Sequence, residues 1–169
     1  MGRPELVLAV DDPGYAIRTR LSFPAHDDPA DGPGERYAYN VSPPAGADGF
    51  DRVVLDLEGT GSPGWSVQYV DAATDDGSGD PVPVDGDGVL QVRLSGMAMP
   101  GEDPAITEYD GATIDPEGTE AVDEVVYRFW FEGYTTAFVG VDEPGLPFRV
   151  FALEDPARVV VDVQDPADD

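Results

Sequence analysis

Arg52-Val53-Val54-Leu55-Asp56-Leu57, in the middle of this chain of 169 residues, returns near its end as Arg158-Val159-Val160-Val161-Asp162-Val163. Both stretches are rich in β-branched and aliphatic residues and are bounded by loop residues, so each predicts a β-strand. Because side chains alternate across a strand, the arginine and the aspartate of each copy share one face, and the odd-numbered aliphatic residues share the other. The repeat therefore predicts strands with one apolar face and one half-polar face.

The rest of the chain extends this pattern. Short alternating runs are separated by many of the 17 prolines and 20 glycines, which would interrupt any long helix. The sequence predicts an all-β protein, a β-sandwich of about ten short, mostly antiparallel strands with little or no helix. We expect residues 1–35 to form an N-terminal β-hairpin and acidic linker, 36–164 to form the sandwich, and 165–169 to form an acidic tail.

Two segments between residues 96 and 134 carry specific expectations about packing. Residues 122–134 predict the longest strand, apolar on both faces, with Tyr127, Phe129 and Phe131 in the core. Residues 96–119 have no clear period and predict a long loop that packs Ile106, Tyr109 and Ile114 against the sandwich.

The charge and the residue types limit the possible functions. The formal net charge is −26 and every basic residue is an arginine, so binding to nucleic acid or to anionic lipid is not expected. The chain has no cysteine and one histidine, His26, in a polar loop. No Gly-x-Ser-x-Gly motif and no phosphate-binding loop occur, so we predict that the protein is not an enzyme. No apolar run is long enough for a transmembrane helix.

An ordered series of motifs covers most of the predicted sandwich. It begins with Gly49-Phe50-Asp51-Arg52-Val53-Val54 and Gly64-Trp65-Ser66-Val67-Gln68-Tyr69-Val70-Asp71, and continues with residues 77–79 and Pro81, 89–94, 148–153 and 156–163. This series resembles the AMIN-like domain of actinobacterial secreted proteins and lipoproteins, which is distantly similar to AMIN domains.

The resemblance implies a β-sandwich with a non-catalytic role in the cell envelope. By the same resemblance the ligand is peptidoglycan or another cell-wall component, and the location is secreted or membrane-anchored and extracellular. An export signal or lipobox would then lie upstream of Met1. Residues 1–35 fall outside the resemblance.

The charged residues of the repeat have two possible roles. If the two strands are antiparallel neighbours, Arg52 faces Asp162 and Asp56 faces Arg158, and such cross-strand pairs contribute about 0.2–1 kcal/mol each. If they are not neighbours, the same residues form two ridges that could recognise a ligand.

Exposed aromatic residues with polar neighbours would suit a glycan ligand. The candidates are Trp65, Tyr69 and Trp130, together with Tyr109 and Tyr134, and the possible polar partners are Arg149 and Arg128. The alternative is that Trp65 and Trp130 belong to the core, because aromatic side chains bury large areas.

Acidic residues in a glycine-rich loop suggest a weak calcium site. Asp71, Asp75, Asp76 and Asp80 surround Gly77 and Gly79, and calcium prefers several oxygen ligands on a flexible loop. The spacing of an EF-hand is absent, and a simple solvating acidic surface explains the same residues. A further alternative to wall binding is a structural or protein-binding role, in which a partner protein adds a strand to an exposed sheet edge.

Overall fold

The computed structural model describes residues 7–10, 15–23, 50–59, 64–97, 111–116, 118–153 and 158–166. These ranges contain nine strands and no helix. The strands are β1 (Val7–Val10), β2 (Tyr15–Phe23), β3 (Phe50–Gly59), β4 (Gly64–Tyr69), β5 (Gly88–Ser95), β6 (Val122–Tyr127), β7 (Tyr134–Val141), β8 (Phe148–Leu153) and β9 (Arg158–Gln164). The all-β prediction is confirmed. Within the described ranges, no helix is long and apolar enough to cross a membrane.

The strands form two sheets, called here sheet 1 and sheet 2. Sheet 1 has the order β1-β2-β3-β9-β8, and sheet 2 has the order β4-β5-β7-β6. All pairs are antiparallel except β2 with β3, which run parallel. The two copies of the repeat are direct neighbours in sheet 1, with Arg52 opposite Asp162 and Asp56 opposite Arg158. Of the two alternatives for the repeat, the structure therefore shows antiparallel neighbours with facing charges.

One apolar core joins the inner faces of the two sheets. Along β5, buried and half-buried residues alternate strictly, as expected for a strand with one face in the core. Leu90 of sheet 2 and Val53 and Val161 of sheet 1 belong to the same buried cluster. The repeat supplies most of the described sheet 1 side of this core through its odd-numbered residues, and β8 adds Phe148 and Val150.

The loop between β4 and β5 folds over the outer face of sheet 2. Its residues Ala73 and Val82 pack on Val126 and Phe138, which point away from the main core. Val82 donates a backbone hydrogen bond to Ala73 at 2.9 Å, which closes the loop on itself. Phe138 is completely buried as a result, so β7 is covered on both faces.

The predicted count of about ten strands is wrong: the described residues form nine. Residues 82–84 are a loop segment, and the structure places only an isolated bridge between Thr74 and Pro81 there. Pro81 and Pro83 lack the backbone N–H groups that a ladder needs, which explains the absence of a strand. Residues 36–41, whose sequence also predicts a short strand, lie outside the described residues.

The predicted long strand at 122–134 is interrupted. Strand β6 ends at Tyr127, and a tight turn at Glu132 and Gly133, with φ of 48° and 82°, leads into β7. Tyr127 is buried as predicted, but the prediction for Phe129 and Phe131 is wrong, because they are 53% and 36% exposed. The chain leaves the regular ladder after Tyr127.

Residues 96–119 are partly described. Ile114 is buried and exchanges two backbone hydrogen bonds with Val125, so its predicted packing is confirmed. Ile106 and Tyr109 lie outside the described residues, as do 24–49 of the N-terminal region. The division of the chain at residues 35 and 164 stays a prediction.

Gly140 of β7 is the point where the covering loop comes closest to sheet 2. A Cβ atom on Gly140 would lie 1.7 Å from the backbone oxygen of Asp85. We expect Gly140→Ala to lower the free energy of unfolding by about 3 kcal/mol, because backbone must move to admit the methyl group. Urea denaturation measures this change.

Gly79→Ala is the matched control for that substitution. Gly79 lies in the same loop with a φ of 74° and open space around its Cα. An alanine at this position meets no steric clash and is disfavoured only by the left-handed backbone conformation. We therefore expect Gly79→Ala to lower the free energy of unfolding by about 1 kcal/mol. Equal decreases in the free energy of unfolding for the two substitutions would show that the loop backbone does not restrict the space at Gly140.

Candidate functional site

The outer face of sheet 1 carries a cluster of charged and aromatic side chains, called here the arginine clamp: Phe50, Arg52, Arg149, Phe151 and Asp162. Strand β9 is central, and its register puts Asp162 opposite Arg52 of β3 on one side and opposite Arg149 of β8 on the other. One carboxylate is thus flanked by two guanidinium groups. The repeat indicates the pair of Asp162 with Arg52, but no sequence pattern indicates the second arginine or the two phenylalanines.

Three short hydrogen bonds hold the clamp together. Arg52 donates from Nε to Oδ1 of Asp162 at 2.7 Å and from a terminal nitrogen to Oδ2 at 3.1 Å. Arg149 donates from Nε to Oδ2 at 2.6 Å. Asp162 is only 3% exposed, so its charge is compensated almost entirely by these two arginines. Charge-assisted bonds of this kind are about twice as strong as neutral ones.

Two phenylalanine rings flank both guanidinium groups. The Cζ atom of Arg149 lies 5.3 Å from the ring centre of Phe50 and 5.6 Å from that of Phe151. The corresponding distances for Arg52 are 5.2 Å and 5.8 Å. Each distance is within the range of a cation–π contact. The rings and the buried carboxylate together restrict the motion of both side chains.

Arg149 is the accessible member of the clamp. Its side chain is 39% exposed, whereas that of Arg52 is 22% exposed. Among the described residues, the terminal nitrogens of Arg149 have no hydrogen-bond partner, since its hydrogen bond to Asp162 uses Nε. The outer edge of a fixed guanidinium group is therefore available to a ligand that accepts two hydrogen bonds.

Sheet 1 gathers more than half of the arginines of the chain. Arg18 and Arg20 of β2 stand opposite Val54 and Asp56 in the register. With Arg52, Arg149 and Arg158, these make five of the nine arginines in a chain of net charge −26. The same strands hold four acidic residues, Asp51, Asp56, Glu58 and Asp162, so their formal charges nearly cancel.

Residues 44–165 match the AMIN-like domain family, and this range contains every strand from β3 to β9. The chain belongs to the AMIN-like domain family. A second family, described as TRSP domain C terminus to PRTase_2, matches residues 5–72. That second match ends between β4 and β5, so it contains neither sheet completely. No curated protein and no solved structure gave a significant match.

The three aromatic candidates of the AMIN-like domain lie on the core side, away from the clamp. Trp65, Tyr69 and Trp130 are partly buried and pack against the main core. The hydroxyl of Tyr69 donates to the carbonyl of Leu146 at 2.7 Å, and burial raises the pKa of Tyr69 to about 12. The indole of Trp130 donates to the carbonyl of Met97 at 2.9 Å. Ligand binding by these three residues stays a prediction.

Two of the four acidic candidates contact arginines on the outer face of sheet 2. Asp75 accepts hydrogen bonds from Arg128 at 2.5 and 2.6 Å, and these bonds raise the pKa of Arg128. Asp76 accepts a bond from Thr136 at 2.9 Å and lies 3.6 Å from Arg93. Asp71 and Asp80 are exposed. The described residues contain no group of three or more metal-ligating side chains, and calcium binding stays a prediction.

An acidic pair near the end of β9, the buried Asp51 and the half-buried Asp165, was not anticipated from the sequence. Asp51 is buried, and its Oδ2 accepts backbone hydrogen bonds from residues 120, 121 and 122 at 2.9, 2.7 and 3.0 Å. Asp165 lies close enough that its pKa is raised to about 6 by burial, then by the charges of Asp51 and Glu120. Oδ1 of Asp165 is buried without a hydrogen-bond partner. The alternation of the sequence carries no signal for this pair.

Asp165 gives the AMIN-like domain a defined pH dependence. An unfolded aspartate has a pKa of about 3.9, so between about pH 4 and 6 the folded protein holds a proton that the unfolded chain has lost. The free energy of unfolding should therefore fall as the pH rises through this window. We expect Asp165→Asn to be about 1 kcal/mol more stable than the native chain at pH 7.5, because solvent screens part of the charge, and equally stable near pH 4.

Urea denaturation at both pH values measures this difference. Asp71→Asn, at an exposed acid, is the control and should show no such pH-dependent gain. A native-like pH profile for Asp165→Asn would show that another group is responsible.

Asp162→Asn tests the charge balance of the clamp. The substitution keeps the shape of the side chain but leaves two guanidinium groups around a buried neutral amide. We expect a loss of about 2–3 kcal/mol in the free energy of unfolding, below the full value for a buried pair because Arg149 is partly hydrated. Asp71→Asn should stay within about 0.5 kcal/mol of the native protein in the same urea titration. A similar small change for Asp162→Asn would contradict the assigned role.

Proposed function

We propose that this AMIN-like domain is a non-catalytic module of the cell envelope that binds peptidoglycan. Its membership of the family supports an extracellular or membrane-anchored location. The observation that carries the proposal is the arginine clamp, which offers a fixed guanidinium edge on the outer face of sheet 1. The stem peptides of peptidoglycan bear free carboxylates, and a planar guanidinium group is the side chain that binds a carboxylate best.

The clamp suits binding because its geometry exists before a ligand arrives. A free arginine side chain loses about 2 kcal/mol of rotamer entropy when it is fixed. Asp162, Phe50 and Phe151 already restrict Arg149 in the folded protein. A carboxylate that meets Arg149 therefore forms its hydrogen bonds with little further loss of side-chain freedom.

The charge of the clamp also favours an anionic group. Two guanidinium groups share one carboxylate, so Arg52, Arg149 and Asp162 carry one net positive charge together. The whole chain carries −26 and repels extended anionic polymers at long range. Carboxylates that are spaced along a largely uncharged glycan can meet the positive clamp with less long-range repulsion than a densely charged polymer. Moderate salt screens the long-range repulsion more than it weakens the close contact.

Co-sedimentation with insoluble peptidoglycan tests the proposal. We expect saturable binding that persists at moderate salt and in EDTA. Arg149→Gln should weaken it about tenfold or more, because it removes a charge-assisted bidentate contact. Arg149→Lys should bind more tightly than Arg149→Gln but less tightly than the native chain. A lysine keeps the positive charge but lacks the planar guanidinium group that donates two parallel hydrogen bonds.

Ala72→Glu is the matched control for the change in charge. Ala72 is exposed in the loop over sheet 2, and the substitution alters the net charge by the same amount as Arg149→Gln. It should leave sedimentation unchanged. An absence of binding by the native chain, or equal losses in Ala72→Glu and Arg149→Gln, would overturn the proposal. Binding that requires calcium would instead point to the acidic loop.

A further inference from the structure

A second exposed surface lies at the tip of the β6–β7 hairpin, on the outer face of sheet 2. Phe131 and Tyr134 are directly opposite each other across the turn and exchange two backbone hydrogen bonds, at 2.8 and 2.9 Å. Opposed residues in an antiparallel pair share a face, so their rings project to the same side. Phe131 is 36% and Tyr134 is 39% exposed. The pair is separate from the arginine clamp, which lies on the other sheet.

Both rings are supported from the protein side. The guanidinium carbon of Arg93 lies 4.1 Å from the ring centre of Tyr134, a close cation–π contact. The ring of Phe131 lies against Gly77, where even a Cβ atom would come within 2.7 Å of Cε2. The loop over sheet 2 thus fixes one ring and Arg93 fixes the other. Two exposed but fixed rings form a platform with little conformational entropy to lose on binding.

Polar groups border the platform. Ser95 stands opposite Tyr134 in the sheet, and Ser66 of the neighbouring strand stands opposite Arg93. The side chain of Arg93 is 35% exposed, although its Nε atom is buried. Hydroxyl and guanidinium groups beside exposed rings are the combination that a sugar needs, because its C–H faces pack on aromatic rings while its hydroxyl groups form hydrogen bonds.

The local charge selects a neutral ligand. Beneath the rings, the two positive charges of Arg93 and Arg128 are offset by the two negative charges of Asp75 and Asp76. Glu132, at the turn itself, is exposed and negative. An anionic polymer or an anionic membrane surface would therefore be repelled, whereas an uncharged sugar would not.

We propose that Phe131 and Tyr134, with Arg93, Ser66 and Ser95, form a binding site for a neutral chain of pyranose sugars. This proposal rests on the proposed function in one respect: the sugar chain would be the glycan strand of the cell wall. The clamp would then bind a carboxylate, and the hairpin tip would bind the sugar backbone. The two sites depend on different residues and are tested with different ligands.

Tetra-N-acetylchitotetraose is a suitable probe, because it is a neutral chain of amino sugars without a peptide or a carboxylate. In isothermal titration we expect saturable binding to the native chain. Tyr134→Ala and Phe131→Ala should each weaken binding about tenfold, the effect of losing one aromatic contact. Phe129→Ala is the matched control, since Phe129 is 53% exposed but contacts Tyr127 and Gly111 rather than the platform. It should bind like the native chain.

A second measurement avoids substitution altogether. The oligosaccharide should protect Tyr134 of the native chain from nitration by tetranitromethane, while Tyr69, with its hydroxyl on Leu146, serves as the unreactive reference.

Arg149→Gln should bind the oligosaccharide normally even where it loses sedimentation with peptidoglycan. That result separates a failure of the clamp from a failure of the platform.

Three results would overturn the proposal. The first is an absence of saturable binding at millimolar oligosaccharide. The second is a loss of affinity in Phe129→Ala equal to that in Tyr134→Ala. The third is binding of the native chain to phosphatidylcholine vesicles that is lost in Tyr134→Ala, which would assign the rings to a lipid surface.

Discussion

The pairing of the buried Asp162 with two arginines is the constraint on which sheet 1 depends. An ionised carboxylate with 3% exposure is tolerated only where opposite charges meet it. Arg52 and Arg149 do so from the strands on either side of β9. A slip of one residue in either register would turn an arginine into the core and a valine outward. The ion cluster therefore specifies the alignment of three strands, in addition to any stability that it provides.

The same constraint concentrates charged side chains on one face of the sheet. Because the odd-numbered residues of the repeat form the core, its charged residues are forced to the outer face of sheet 1. There the phenylalanines of β3 and β8 pack against the arginines and keep them extended across the sheet. The outer face of sheet 2 is covered in a different way. A loop covers it with small apolar residues, and the arginines beneath are neutralised by Asp75 and Asp76. The two outer faces thus differ in how their arginines are held.

Sequence reasoning was wrong where a local pattern continued beyond the end of the sheet. Residues 125–131 alternate as a strand would, yet the ladder of β6 stops at Tyr127. Periodicity reports which residues could share a face, but it does not report whether another layer lies opposite that face. At the hairpin tip the described structure leaves Phe129 and Phe131 substantially exposed, so residues expected in the core became surface residues. The loop acids show the converse effect. The sequence predicts solvated charges or metal ligands there, but Asp75 and Asp76 form ion pairs with arginines that are distant in sequence.

The sequence by itself determined the all-β class and the family, because these follow from side-chain alternation and from an ordered series of motifs. It left the antiparallel pairing of the repeat as one of two alternatives, and the sheet order decided between them. The buried state of Tyr127 and Ile114 followed from the same pattern. Only the tertiary structure decided that Arg149 joins Arg52 on Asp162, that Phe50 and Phe151 flank them, and that Gly77 supports Phe131. Each of these contacts joins strands or loops that are separated by many residues along the chain. Their distances are set by sheet order and loop path, and neither of these is encoded in local periodicity.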